Sequence, residues 1–261
     1  MSSFYSKKQT FFSAVILVIT LLQFSCGSSE KIVYFQNAKD FETIVDTDTF
    51  TPKFKVNDIV SIHVSTFDLE AVKPFNLTRG TEASANSVPI DYLVDNDGNI
   101  DYPVLGKIKL LGLTVEESKE LLKEKLSEYL KDPIINIRIL NFRVSILGEV
   151  RSPGRYSISG ERITLLEAIA LAGDLTIKGK RDNVTVIRDF QGTKTYTKVD
   201  LTSKELFNSP VYYLTQNDIV YVEPNKSAIS SGFIDSRTSI AISIASILIT
   251  STIILVTQLN R

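Results

Sequence analysis

A run of punctuation residues occurs twice in this chain, fifty positions apart. Gly98, Pro103, Thr114, Glu117 and Leu121 are answered by Gly148, Pro153, Thr164, Glu167 and Leu171, with Ile100 matched by Val150. Glycine supplies a turn, proline ends a strand, and Thr-x-x-Glu is a capping box whose hydroxyl and carboxylate satisfy amides that a helix start leaves unpaired. The register therefore predicts a turn-and-strand unit leading into a helix, used twice. It is read either as a duplication or as two domains using the same local devices.

Between and around these units the apolar pattern has period two. Residues 59–64 alternate, with His63 on the polar phase of the strand, and residues 134–140 alternate again. Tyr92 to Pro103 reads as two short strands joined by an Asn/Asp-Gly turn in which Gly98 takes positive φ. From Val115 an amphipathic helix is expected to about Lys131, stopped at Asp132-Pro133. Residues 184–188 and 194–199 predict a hairpin about Gly192, and the closing strand 217–222 repeats the Asn-Asp-Ile-Val of residues 57–60. Residues 67–88 read as a long loop. Strands wrapped around single helices give an α+β class with a β-grasp-like second module.

The two ends carry different information. Lys7-Lys8, an apolar stretch over 11–24 and Ser25-Cys26-Gly27 form an export signal whose cut site resembles a bacterial lipobox, which implies that Cys26 is the lipidated residue; the other reading is an ordinary signal peptide with its one Cys beside the cut. Thr238 to Asn260 has no charge and is framed by Arg237 and Arg261, so it is expected to be one transmembrane helix. Within it Ser239, Ser243, Ser246, Thr250 and Thr257 share a face that suits helix self-association or a pore lining, or simply bonds back to its own preceding turn.

Composition narrows the chemistry. The chain of 261 residues has Lys+Arg 29 against Asp+Glu 30, one His and one Cys. There is no basic excess for nucleic acid, no intrachain disulfide, no Cys/His zinc set and no Ser-His-Asp arrangement. Asp95 and Asp97 fail a calcium-loop template at Leu93 and Val104, and Gly173 to Gly179-Lys180 fails a phosphate-loop template on spacing. No catalytic residue, metal site or cofactor is expected, and no polysaccharide-binding residue is assigned.

The series Tyr92 to Ile100, Pro103 to Gly106, Gly112 to Val115, Asp132 to Ile137 and Gly148-Glu149-Val150-x2-Pro153-Gly154-x-Tyr156 resembles the polysaccharide biosynthesis/export family of Wza type. The resemblance implies a signal peptide over 1–25, a tether over 26–50, an export-signature domain over 51–140, and a soluble-ligand-binding β-grasp (SLBB) domain over 141–225, with the helix at 238–260. It implies a non-enzymatic lipoprotein of the outer membrane with its body in the periplasm. Such a protein would form a ring-shaped homo-oligomer that conducts capsular or extracellular polysaccharide and meets an inner-membrane co-polymerase/tyrosine kinase. A membrane-anchored periplasmic glycan-binding or signalling module is the second reading, for which Tyr196, Tyr212, Tyr213 and Tyr221 are candidate sugar-stacking residues.

Overall fold

The computed structural model describes residues 32–40, 50–79, 88–190, 192–233 and 236–259. The first unit runs β1 (Ile59–Ser65), β2 (Thr78–Arg79), β3 (Val88–Pro89), β4 (Tyr92–Leu93), β5 (Asn99–Tyr102), β6 (Gly106–Lys109), α1 (Val115–Leu126) and β7 (Ile134–Ile139). Strand β1 lies between β4 and β7, antiparallel to both. Its alternation turns Val60, Ile62 and Val64 inward and leaves His63 exposed. Opposite them Ile135 and Ile137 face the same core, which α1 closes with Val115, Leu122 and Leu126. Helix α1 ends at Leu126, earlier than expected, and a turn carries the chain on to the buried Leu130.

The hairpin predicted within 92–103 is not what forms. Asp95 Oδ1 accepts the amides of Asp97 and Asn99, at 2.9 and 2.8 Å, and this turn redirects the chain. Strand β4 goes to β1, while β5 pairs with β6 through a turn in which Val104 has φ 68°. The stretch after β1 is more than a loop: Lys73–Phe75 is a 3₁₀ turn that buries Phe75, and β2 pairs with β3.

The second unit runs β8 (Arg143–Gly148), β9 (Gly154–Ser157), β10 (Ile163–Thr164), α2 (Leu165–Leu171), β11 (Gly179–Phe190), β12 (Thr193–Val199), β13 (Tyr213–Leu214) and β14 (Ile219–Pro224). Its five-stranded sheet has the order β12-β11-β14-β8-β9. The first and last strands, β8 and β14, are parallel neighbours at its centre, and the other pairs are antiparallel. Val144, Ile146, Val184, Val186, Val220 and Val222 line the core beneath Leu165, Ala168 and Ile169 of α2. Both helices carry the expected capping box, Thr114 with Glu117 and Thr164 with Glu167.

Two features lie outside these units. Residues 32–38 strap across the second one: Gln36 N donates to Thr202 O at 2.7 Å, Phe35 stacks on Phe207 at 5.2 Å, and the Tyr34 hydroxyl donates to Asp174. At the other end, α3 (Lys226–Phe233) is followed by α4 (Ser236–Leu259). Ile242, Ile247 and Ile249 of α4 are exposed at 64, 66 and 61%. Among the described residues no helix is long and apolar enough to cross a membrane. The transmembrane helix expected over 238–260 is therefore not found among them.

Candidate functional site

The first unit holds an open cleft of about 600 Å³ between β4 and the β5–β6 hairpin. Leu77, Ile90, Leu93 and Pro103 give it apolar walls, and Asp91, Asp95 and Asp101 place carboxylates around them. Alternation explains the rest of the lining, since β5 turns Ile100 and Tyr102 inward and Asp101 outward. The Tyr92 and Tyr102 rings sit 5.2 Å apart at 49°. Burial pushes both phenols above their usual range, Tyr102 strongly, so both stay protonated. The Tyr102 hydroxyl is buried without a hydrogen-bond partner among the described residues.

The carboxylates are not equivalent. Asp95 is committed to its own turn, and Asp101 lies opposite Lys107 across the hairpin. Apolar walls with a few carboxylate acceptors suit a polyhydroxylated ligand, whose hydroxyls donate and whose ring faces pack on apolar carbon. Among the described residues no group of three or more His, Cys, Asp or Glu is placed to hold a metal ion.

The joint between the units is built from matching turns. Asn57 and Asn217 have φ of 68° and 66°, and each is followed by a buried aspartate. Asp58 accepts the Lys55 amide at 2.7 Å, and Asp218 accepts the Thr215 amide at 2.8 Å. Burial pushes the Asp58 carboxyl up to about 6. Lys55 Nζ crosses to Thr215 Oγ1 at 2.8 Å, and burial lowers its pKa. Between the units Asn141 donates from Nδ2 to Asn57 O and accepts the Ile59 amide, both at 2.8 Å. Gln216 answers from the other side: its Nε2 donates to Asn141 O and its Oε1 accepts the Arg143 amide. Phe50 stacks on Tyr213 at 4.8 Å, and Ile139 packs against both cores.

The residues singled out from sequence are dispersed. Cys26 lies outside the described residues, as does the side chain of Ser239. On α4, Ser246 donates to Ser243 O, Thr250 to Ser246 O and Thr257 to Ile254 O, at 2.7–2.8 Å, which is the back-bonded arrangement. Of the four tyrosines, Tyr212 and Tyr213 pack edge to face at 5.1 Å beside the joint, while Tyr196 and Tyr221 stand exposed on the second unit's sheet. The cleft was missed because Leu77 and Ile90 reach it from a segment that reads as a loop; the inward phase of Tyr102 was its only local signal.

Comparison with known proteins follows the same division. Residues 49–140 match the polysaccharide biosynthesis/export protein family and residues 142–222 match the SLBB domain. The chain is similar to the EPS I polysaccharide export outer membrane protein EpsA of Ralstonia solanacearum, 29% identical over 150 residues that cover 56% of this chain and 39% of that protein. It is similar also to the protein of the same name from Ralstonia nicotianae, 30% identical over 142 residues covering 52% and 36%. The matched region thus spans about two-fifths of the length of these curated relatives. With the export module and the SLBB module in tandem on one jointed α+β body, this chain belongs to the polysaccharide biosynthesis/export family.

Proposed function

We propose that the chain is a subunit of an oligomeric channel that passes capsular or extracellular polysaccharide across the outer membrane, by transport and not by catalysis. The observation that carries this reading is the tandem itself: export and SLBB modules, matched over 49–140 and 142–222, held together by Asn141, Gln216 and Lys55. The relatives' description as export outer membrane proteins supports it. The second module's arrangement supports a β-grasp fold, since its first and last strands run parallel at the centre of a mixed sheet with a helix packed across it.

In this reading Cys26 carries lipid, the body lies in the periplasm, and copies close into a ring that meets an inner-membrane co-polymerase. The apolar side chains exposed on α4 are then covered by lipid or by neighbouring copies, with Ser239, Ser243, Ser246, Thr250 and Thr257 along the face of close approach. Back-bonded hydroxyls do not oppose this, because small polar side chains permit close backbone contact whether or not they bond across it.

The test is the mass of the detergent-extracted protein by light scattering, with detergent subtracted. A closed ring, many times the 29.1 kDa of one chain, is expected. A particle that stays monomeric or dimeric in mild detergent overturns the channel and favours a membrane-held glycan-binding module.

A further inference from the structure

One face of the second unit's sheet packs on α2; the other presents side chains to solvent. Across that open face the strand register aligns Tyr196, Ile187, Ile219, Ser145 and Arg155 in one row. A second row aligns Lys198, Thr185, Tyr221 and Leu147, with Thr185 buried between its neighbours. Tyr196 is 68% exposed, Leu147 45% and Tyr221 38%. By sheet geometry the two tyrosines stand roughly 12 Å apart, on strands too rigid for the spacing to wander.

The charge on this face is mixed, with cations in excess. Arg143, Arg155, Lys194 and Lys198 are exposed on it, and Asp189 faces Lys194 across the β11–β12 pair. At one edge Lys180 and Glu223 are already paired at 2.9 Å. The face is thus basic although the whole chain has a net charge of -1. Exposed tyrosines give flat apolar contact at low entropic cost, and arginine matches a carboxylate with two parallel hydrogen bonds.

We propose that this open sheet face binds an anionic polysaccharide, with Tyr196 and Tyr221 packing on sugar rings and Arg143, Arg155, Lys194 and Lys198 meeting its uronate-type carboxylates. The proposal rests on the export reading and adds to it the chemical class of the glycan and the surface that meets it. These cations are exposed, so the attraction is screened by salt within about 10 Å at 0.1 M and weakens as salt rises.

The experiment is calorimetric titration of the full chain in detergent with a polygalacturonate oligosaccharide, and with neutral dextran, at low and moderate salt. Polygalacturonate should bind and weaken with salt, and dextran should not bind. The pairs Y196A/Y221A and R155E/K198E, all on exposed positions, should keep the parent thermal unfolding and lose roughly tenfold or more in affinity. Parent-like binding by both pairs, or equal binding of dextran, overturns the proposal. So does loss of phosphatidylglycerol-vesicle binding or of complex mass in the variants without loss of polygalacturonate binding, which would assign the face to lipid or to a second copy. Deleting the gene separates the two readings. If surface polysaccharide is unchanged the export reading fails; if it disappears and both variant pairs restore it with parent-like glycan binding, only the sheet-face proposal fails.

Discussion

Arg188 on β11 grips the wholly buried carboxylate of Asp218 at the head of β14, Nη2 lying 2.7 Å from Oδ2 and Nε 3.1 Å from each oxygen. The same guanidinium donates to Tyr213 O at 2.8 Å, so one side chain ties together the long hairpin, the closing strand and the segment before it. Replacing Arg188 with Ala strands a buried charge, which costs about 3 kcal/mol. Urea unfolding should show the midpoint falling with little change in slope; a midpoint within error of the parent would mean that Thr215 alone satisfies the carboxylate.

Asp58 makes stability depend on pH in the opposite sense to a salt-bridged carboxylate. Its pKa is raised to about 6, so protonation favours the folded form. That contribution is fully present below about pH 4 and is lost as pH rises through about 6. Asp58→Asn cannot ionise, and its Tm relative to the parent should climb between about pH 4 and 7. A parallel pair of Tm profiles would show that the carboxyl titrates normally.

Two glycines with similar backbone angles should respond differently to a methyl group. Gly148 has φ 90°, and a Cβ there would meet Val222 O at 2.0 Å, in the central parallel pair. Gly106 has φ 71° with nothing within 4 Å of an added Cβ. Gly106→Ala should cost about 1 kcal/mol from backbone strain alone, and Gly148→Ala at least twice that, since β8 and β14 must separate. Thermal unfolding of the two variants gives the comparison.

Asn141 should act on coupling more than on either core. Asn141→Ala removes both its bonds to the Asn57–Ile59 turn and leaves that amide and carbonyl short of partners. Hydrogen exchange should accelerate at Ile59, while Arg143, still held by Gln216, and amides in the centres of β1 and β14 keep their protection. Acceleration throughout both sheets would show a single cooperative body in place of two units with a joint.

The capping boxes, the alternation of 134–140, the Gly192 hairpin and the outward phase of His63 were legible because each is decided by residues close together in sequence. Partner choice was not. Residues 99–102 looked like the mate of 92–93, yet Pro103-Val104-Leu105 turns them onto 106–109. The fifty-residue register likewise survives in glycine φ, 83° at Gly98 and 90° at Gly148, and in the caps, but not in pairing. Ahead of α1 stands the β5–β6 hairpin, while the matching Val150 makes only a bridge to Leu175. The cleft and the Arg188–Asp218 pair depend on contacts between distant segments, which periodicity does not encode.

The strap formed by residues 32–38 inverts chain order in space. Sequence proceeds from Cys26 to the first unit and only then to the second, yet Tyr34 and Gln36 are fastened to Asp174 and Thr202 of the second. Seven residues lie between Cys26 and Tyr34, a leash of eight Cα–Cα steps and at most about 28 Å. On the proposed lipidation of Cys26, the membrane that holds it therefore sits close beside the module that comes later in the chain.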